Sequence, residues 1–267
     1  MSVLAWLNPA RPDFPAAVPR DERRALTIEL LIVFAITFGL SGIRSLLSLI
    51  DAALDTTPLS QQQVTLNPPL AAEQLIDLLM QLTSVLRLLA WGALGLYLLW
   101  RAGLKLASIG LDRTRVWRDL AAGSGIAAFI GIAGLGVFLV GRALGQSLAV
   151  QPSTLDDTWW RTGVLVLSAF GNAWAEEVLV VGYLLTRFRQ LAWSENLALL
   201  AAAVLRGSYH LYQGLPGFVG NVAMGLVFGR LWQRTNRLWP LIVAHTLIDV
   251  VAFVGYALLR GKVSWLP

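Results

Sequence analysis

The feature that most restricts the fold is a series of apolar runs reaching the roughly 20 residues that a helix needs to cross about 30 Å of hydrocarbon. A soluble α/β domain would break such runs with polar residues, and a transmembrane barrel would show period-2 alternation, which these runs lack. The chain is 56% hydrophobic and 14% charged over 267 residues, with a mean hydropathy of +0.63. The pattern predicts an all-α, polytopic transmembrane helix bundle of about seven spans, at 26–50, 74–100, 119–141, 162–186, 196–212, 216–233 and 238–259. The fifth and sixth are short for the task.

The organisation that follows is a cytoplasmic N-terminal segment (1–25), N-terminal transmembrane helices (26–159), a transmembrane core (160–259) and a C-terminal tail (260–267). No short apolar stretch with a small-residue cleavage site opens the chain, so the first span reads as an uncleaved anchor. The segment around 51–72, with Pro68 and Pro69, is the longest irregular connection. Alternate connections carry 14 Lys and Arg on one side against 4 on the other. Positive connections stay cytoplasmic, which places the N-terminus in the cytoplasm. Two lysines against 19 arginines suggest a GC-rich bacterial source, and hence a multi-pass protein of the bacterial cell (inner) membrane. The net charge of +5 does not point to nucleic acid, because the basic residues flank apolar runs instead of forming one patch.

There is no cysteine, which removes thiolate metal sites and a cysteine nucleophile. Small residues recur every fourth position at Gly123, Ala127 and Gly131, and again at Gly217, Asn221, Gly225 and Gly229. Such stripes let helices approach closely, though Asn221 brings an amide that needs partners inside the bundle. Arg44 and Arg87 read as snorkelling residues or as bundle pairs with Asp77 or Glu73.

A charged side chain near the bilayer centre costs on the order of 2.5 to 3.5 kcal/mol on insertion scales, so each ionisable residue inside a span calls for a reason. Those residues are Glu176 and Glu177 in the fourth span, Arg206 and His210 in the fifth, and His245 and Asp249 in the seventh. The two histidines are the only ones in the protein. His245 and Asp249 are four apart, as are Arg206 and His210, so each pair shares a helical face. Asn172 stacks four residues before Glu176 in the same way.

Carboxylate and imidazole groups together suit water activation, with a desolvated glutamate taking the proton and a histidine orienting the water or protonating the leaving group. Alternatively, Glu176, His210 and His245 supply two nitrogens and one oxygen to a divalent metal such as zinc, leaving a fourth position for water. No HExxH helix and no G-x-S-x-G is present, which excludes a zincin and the simplest serine hydrolase.

The stretches "EEVLVVGYLL", "LRGSYH" and "RLWPLIVAHTLIDV" resemble the three motifs of the CAAX-processing and bacteriocin-immunity type of intramembrane endopeptidase, over about residues 160–255. The resemblance implies a protease acting on a membrane-associated protein or peptide. It implies that Glu176 and His210 activate the attacking water, that His245 and Asp249 stabilise the oxyanion or complete the polar cage, and that Glu177 is structural. Two positions depart from the family pattern: Val181 stands where an arginine is usual, and Arg206 where an aromatic is. Arg206 is therefore expected to pair with Glu177 in place of the lost intrahelical partner. Two rival readings are a non-catalytic membrane scaffold or immunity protein of the same fold, and a proton-coupled transporter. The transporter reading is disfavoured because the polar residues are confined to the second half of the chain. Nothing in the sequence indicates a prenylated substrate.

Overall fold

A computed structural model describes residues 7, 9–10, 12–144 and 148–262. Much of the expected N-terminal segment before residue 12, and residues 263–267 of the expected tail, lie outside the described residues. Helices dominate. In chain order they are α1 (Arg20–Ile36), α2 (Phe38–Leu54), α3 (Gln74–Arg101), α4 (Val116–Ala143), α5 (Arg161–Glu176), α6 (Leu184–Gln190), α7 (Glu195–Ser208), α8 (Leu215–Thr235) and α9 (Trp239–Leu259). A π-helical segment, Glu177–Tyr183, joins α5 to α6 without a break. Short 3₁₀ turns lie at Leu59–Gln61, Leu106–Ile109 and Leu211–Gln213. The strands β1 (Gln63–Thr65) and β2 (Ala149–Gln151) pair in parallel, with Gln63 opposite Ala149, and tie two connections on the same end of the bundle together.

The α5–π–α6 rod runs through the centre. In its most apolar stretch 72% of residues are buried, against 22% in α3, and Leu165, Ala169, Ala173, Ala175, Val178 and Leu179 are fully enclosed. Around it, α3 and α9 pack on α5, α4 packs on α9, and α7 pairs with α8. The glycine stripes serve this packing. A Cβ at Gly123 would come within 2.8 Å of the Pro240 carbonyl oxygen on α9, and one at Gly225 within 2.9 Å of the Ala203 backbone on α7. Outward-facing Leu31, Ile132 and Val251 remain more than half exposed, as suits contact with lipid.

The expected count of seven spans is not confirmed. Among the described residues, four helical stretches are long and apolar enough to cross a membrane: Gln74–Arg101, Val116–Gly141, Arg161–Gln190 and Trp239–Leu259. The expected first span is instead a pair, α1 and α2, bent by 50° and counting at most as a fifth. The bend falls at Thr37, whose hydroxyl donates to the Val33 carbonyl at 2.7 Å, a side-chain bond of the kind that bends helices. The expected fifth span, 196–212, is α7. It ends at Ser208, and its 14 residues cover only about 21 Å at 1.5 Å per residue. The turn between α7 and α8 lines an internal cavity through Tyr209, His210, Tyr212 and Gln213. The pairing of Arg87 with Asp77 or Glu73 does not form. Asp77 accepts from the Leu70 N–H at 2.8 Å and from Gln81 at 3.2 Å, while the Arg87 guanidinium lies over Trp91.

Candidate functional site

Glu176 ends α5 and Glu177 opens the π segment, so the adjacent carboxylates lie where the winding of the central rod changes. The wider i→i+5 pattern frees backbone groups within the rod. Just past the π segment, the Thr186 hydroxyl donates to the Gly182 carbonyl at 2.5 Å. Glu177 and Arg206 are fully buried, and Glu176 and His245 nearly so.

Arg206 reaches both glutamates from the last turn of α7. Its Nη1 donates to Glu177 Oε1 at 2.8 Å and its Nη2 lies 3.3 Å from Glu176 Oε2. The arginine expected to replace the family's intrahelical partner thus pairs with Glu177, and the usual position of that partner, Val181, is packed in the apolar core. One guanidinium shared by two carboxylates removes the large cost of an unpaired buried charge.

His245 on α9 completes this inner cluster, with Nδ1 2.8 Å from Glu177 Oε1 and 3.1 Å from Arg206 Nη2. A ring nitrogen cannot donate to one and accept from the other at once. The shorter contact, to a carboxylate, selects Nδ1–H donating to Glu177, which turns Nε2 toward Asp249 Oδ2, 3.7 Å away. That separation exceeds a direct hydrogen bond. Asn172 donates its amide to the same Asp249 oxygen at 3.4 Å. The amide expected to stack on Glu176 is therefore spent on the far carboxylate.

His210 lies beyond the end of α7, not on its face as the spacing predicted. Its Nδ1 is 2.9 Å from the Arg206 carbonyl, one of the carbonyls left unpaired at a helix C-terminus. A carbonyl only accepts, so Nδ1 carries the hydrogen and Nε2 presents a lone pair. Between Arg206 and His210 stands Tyr209, a residue the sequence reasoning passed over. Its hydroxyl donates to Glu176 Oε2 at 2.8 Å, and its ring stacks on Phe38. Its position beside the second-motif histidine was the available signal.

A cavity of about 1140 Å³ collects these groups, and Glu176, Tyr209, His210, His245, Asp249 and Asn172 all line it. Asn221 also lines it but joins none of these contacts, because its amide donates back to the Gly217 carbonyl at 3.0 Å. Among the described residues, no group of three or more His, Asp or Glu is arranged to hold a metal ion. Of the proposed zinc ligands Glu176, His210 and His245, both histidines have Nδ1 held, His245 by Glu177 and His210 by the Arg206 carbonyl, and the Arg206 guanidinium lies between Glu176 and His245.

Fold and site together define a multi-pass helical membrane protein with a buried carboxylate, imidazole and guanidinium cluster opening on an internal cavity. Residues 158–251, from just before α5 to the middle of α9, match the family model described as Rce1-like, Type II CAAX prenyl endopeptidase Rce1-like. The resemblance carried by the three motifs is to this family, over the segment that holds every residue of the cluster. No curated protein and no solved structure matches the chain.

Proposed function

We propose that the protein is an intramembrane endopeptidase that hydrolyses a peptide bond in a membrane-associated protein or peptide, with Glu176 as the base. The observation that carries this reading is that Glu176 and His210 line one cavity, with His210 Nδ1 held by the Arg206 carbonyl so that Nε2 is left as the acceptor. Tyr209 and Arg206 both engage Glu176 Oε2. Oε1 takes neither of these contacts and is left for water. A water that donates one hydrogen to Glu176 Oε1 and the other to His210 Nε2 keeps its lone pairs for the peptide carbonyl carbon. As the C–O bond forms, Glu176 takes the water proton, and it returns that proton to the amine as the C–N bond breaks. A proton carried by the His245–Asp249 pair is donated to the carbonyl oxygen as it gains charge, with Asn172 fixing Asp249. Glu177 and Arg206 hold the frame. This route calls for no metal. The prenyl substrate in the family's description is not transferred, because no feature of the site calls for a prenyl group.

The test is cleavage of a membrane-tethered peptide by the purified, reconstituted protein. Glu176→Gln and His210→Ala are expected to lower kcat by about 10²-fold or more, the range for a positioned acid or base, with helical content and melting retained. Unchanged cleavage in Glu176→Gln, or none in the wild type, would leave a non-catalytic scaffold of the same fold as the better reading.

A further inference from the structure

We infer that the substrate segment reaches the site from the non-cytoplasmic face of the membrane; the inference rests on the protease reading above. The cavity occupies one half of the bundle. It is lined on α3 by residues 81–88, on α4 by residues 127–137, on α5 by residues 168–176 and on α9 by residues 245–259. Its lining also takes in the α7–α8 turn and the start of α8, with Tyr209, His210, Tyr212, Gln213 and Pro216 among them, and it reaches one end through Leu66, Asn67, Pro68 and Leu70 in the connection before α3 and Val150 and Pro152 in the connection before α5. No residue of the opposite connections, 102–115, 191–194 or 236–238, lines it.

Those opposite connections are sealed. Arg187 joins Glu29 at 2.7 Å and Gln190 at 2.8 Å. Arg189 grips Glu195 through two bonds of 3.0 and 2.8 Å and reaches Asn236 at 3.1 Å. Arg237 binds Asp112 at 2.6 Å and also Asp119. Trp232 donates to the Ile109 carbonyl beneath them. The sealed end is also the arginine-rich end, which positive residues hold in the cytoplasm. The mouth belongs to the poorly charged connections, so it faces away from the cytoplasm.

Glu176 stands 15 residues along α5 from Arg161, or about 22 Å from the mouth end at 1.5 Å per residue. An extended chain covers 3.3–3.6 Å per residue, so about six residues of unfolded peptide must separate the scissile bond from any folded body on that face. The cavity exceeds the roughly 300–1,000 Å³ of ordinary small-molecule pockets, as a peptide occupant requires. The substrate class is thus a membrane-anchored peptide or protein whose cleavable stretch is extended and lies on the non-cytoplasmic side.

The absence of native cysteine makes a direct test clean. Full-length single-cysteine variants Leu70→Cys at the mouth, Ser84→Cys within the cavity and Ala107→Cys on the sealed end are treated with a membrane-impermeant sulfonated maleimide. In right-side-out vesicles Leu70→Cys and Ser84→Cys should react at least tenfold faster than Ala107→Cys, and in inverted vesicles Ala107→Cys should react fastest. Reaction of Ala107→Cys from outside, or of Ser84→Cys from the Ala107 side, would overturn the inference. Labelling needs no turnover, so it decides access even if proteolysis fails. A tethered peptide is also offered to each face of uniformly oriented proteoliposomes. Cleavage only from the Ala107 side would overturn the inference and leave the protease standing, whereas cleavage from neither face would remove the protease reading itself.

Discussion

At the scale of single residues the site is organised by Arg206, which meets both glutamates and lies against His245. Removing one member of a buried ion pair strands the other in a low-dielectric interior, at a cost of about 3–5 kcal/mol. Arg206→Leu is expected to destabilise the protein by that amount. The double variant with Glu177→Leu should recover part of the loss, since neither charge is then left unpaired. Thermal unfolding in one detergent gives the cycle, and strictly additive losses would show that the pair is not coupled. The ionisable residues of the site were legible in the sequence because charge inside apolar runs stands out against its insertion cost. The role of Tyr209 was not, since an aromatic residue in a membrane helix reads as packing until a carboxylate from another helix is brought to its hydroxyl. The place of His210 was misread for a related reason. The apolar and aromatic pattern continues past Ser208, and the end of the helix is set by the turn into α8.

At the scale of elements, the α7–α8 hairpin positions Arg206, Tyr209 and His210 together, and its close approach depends on Gly225. A Cβ there would meet the Ala203 backbone at 2.9 Å and the Arg206 side chain at 3.3 Å. Gly225→Ala is therefore expected to destabilise by about 1–3 kcal/mol, the usual cost of overpacking, and to lower activity through the displaced arginine. Gly220→Ala on the same helix, with nothing within 4 Å, should be near neutral in melting and turnover. On the sealed end, Asp112 accepts from Thr114 and also meets Arg237, and these bonds hold its carboxyl well below the usual carboxylate range. A depressed folded-state value stabilises the fold above the unfolded pKa of about 3.9, and that contribution is lost as pH falls through the folded value. Melting followed from pH 7 to pH 3 should therefore show a decline at the acid end that is smaller in Asp112→Asn. The kink at Thr37 and the π segment could not be read from the sequence, because both lie within continuous apolar periodicity and are settled by tertiary contacts.

At the scale of the whole molecule, the sequence conveyed the helical membrane class, since that depends on composition summed over long stretches. Its count of seven crossings is not confirmed: "LALLAAAVL" in α7 is as apolar as a span, but the helix that carries it has 14 residues. The β1–β2 pairing joins two connections at the mouth, with Ala149 N–H donating to the Gln62 carbonyl at 2.9 Å. Ala149→Pro deletes that donor and should raise cleavage within residues 55–73 by an added protease several-fold, while core melting changes little. The π segment has a final consequence for the rod as a rigid body. Its wider winding sets the angular phase between the half that carries Glu176 and the half that carries Arg187 and Arg189. Excising a single residue there would turn the half anchored by Arg187 and Arg189 about the axis relative to the half that carries Glu176, so the reactive groups and the anchorage could no longer both be in register.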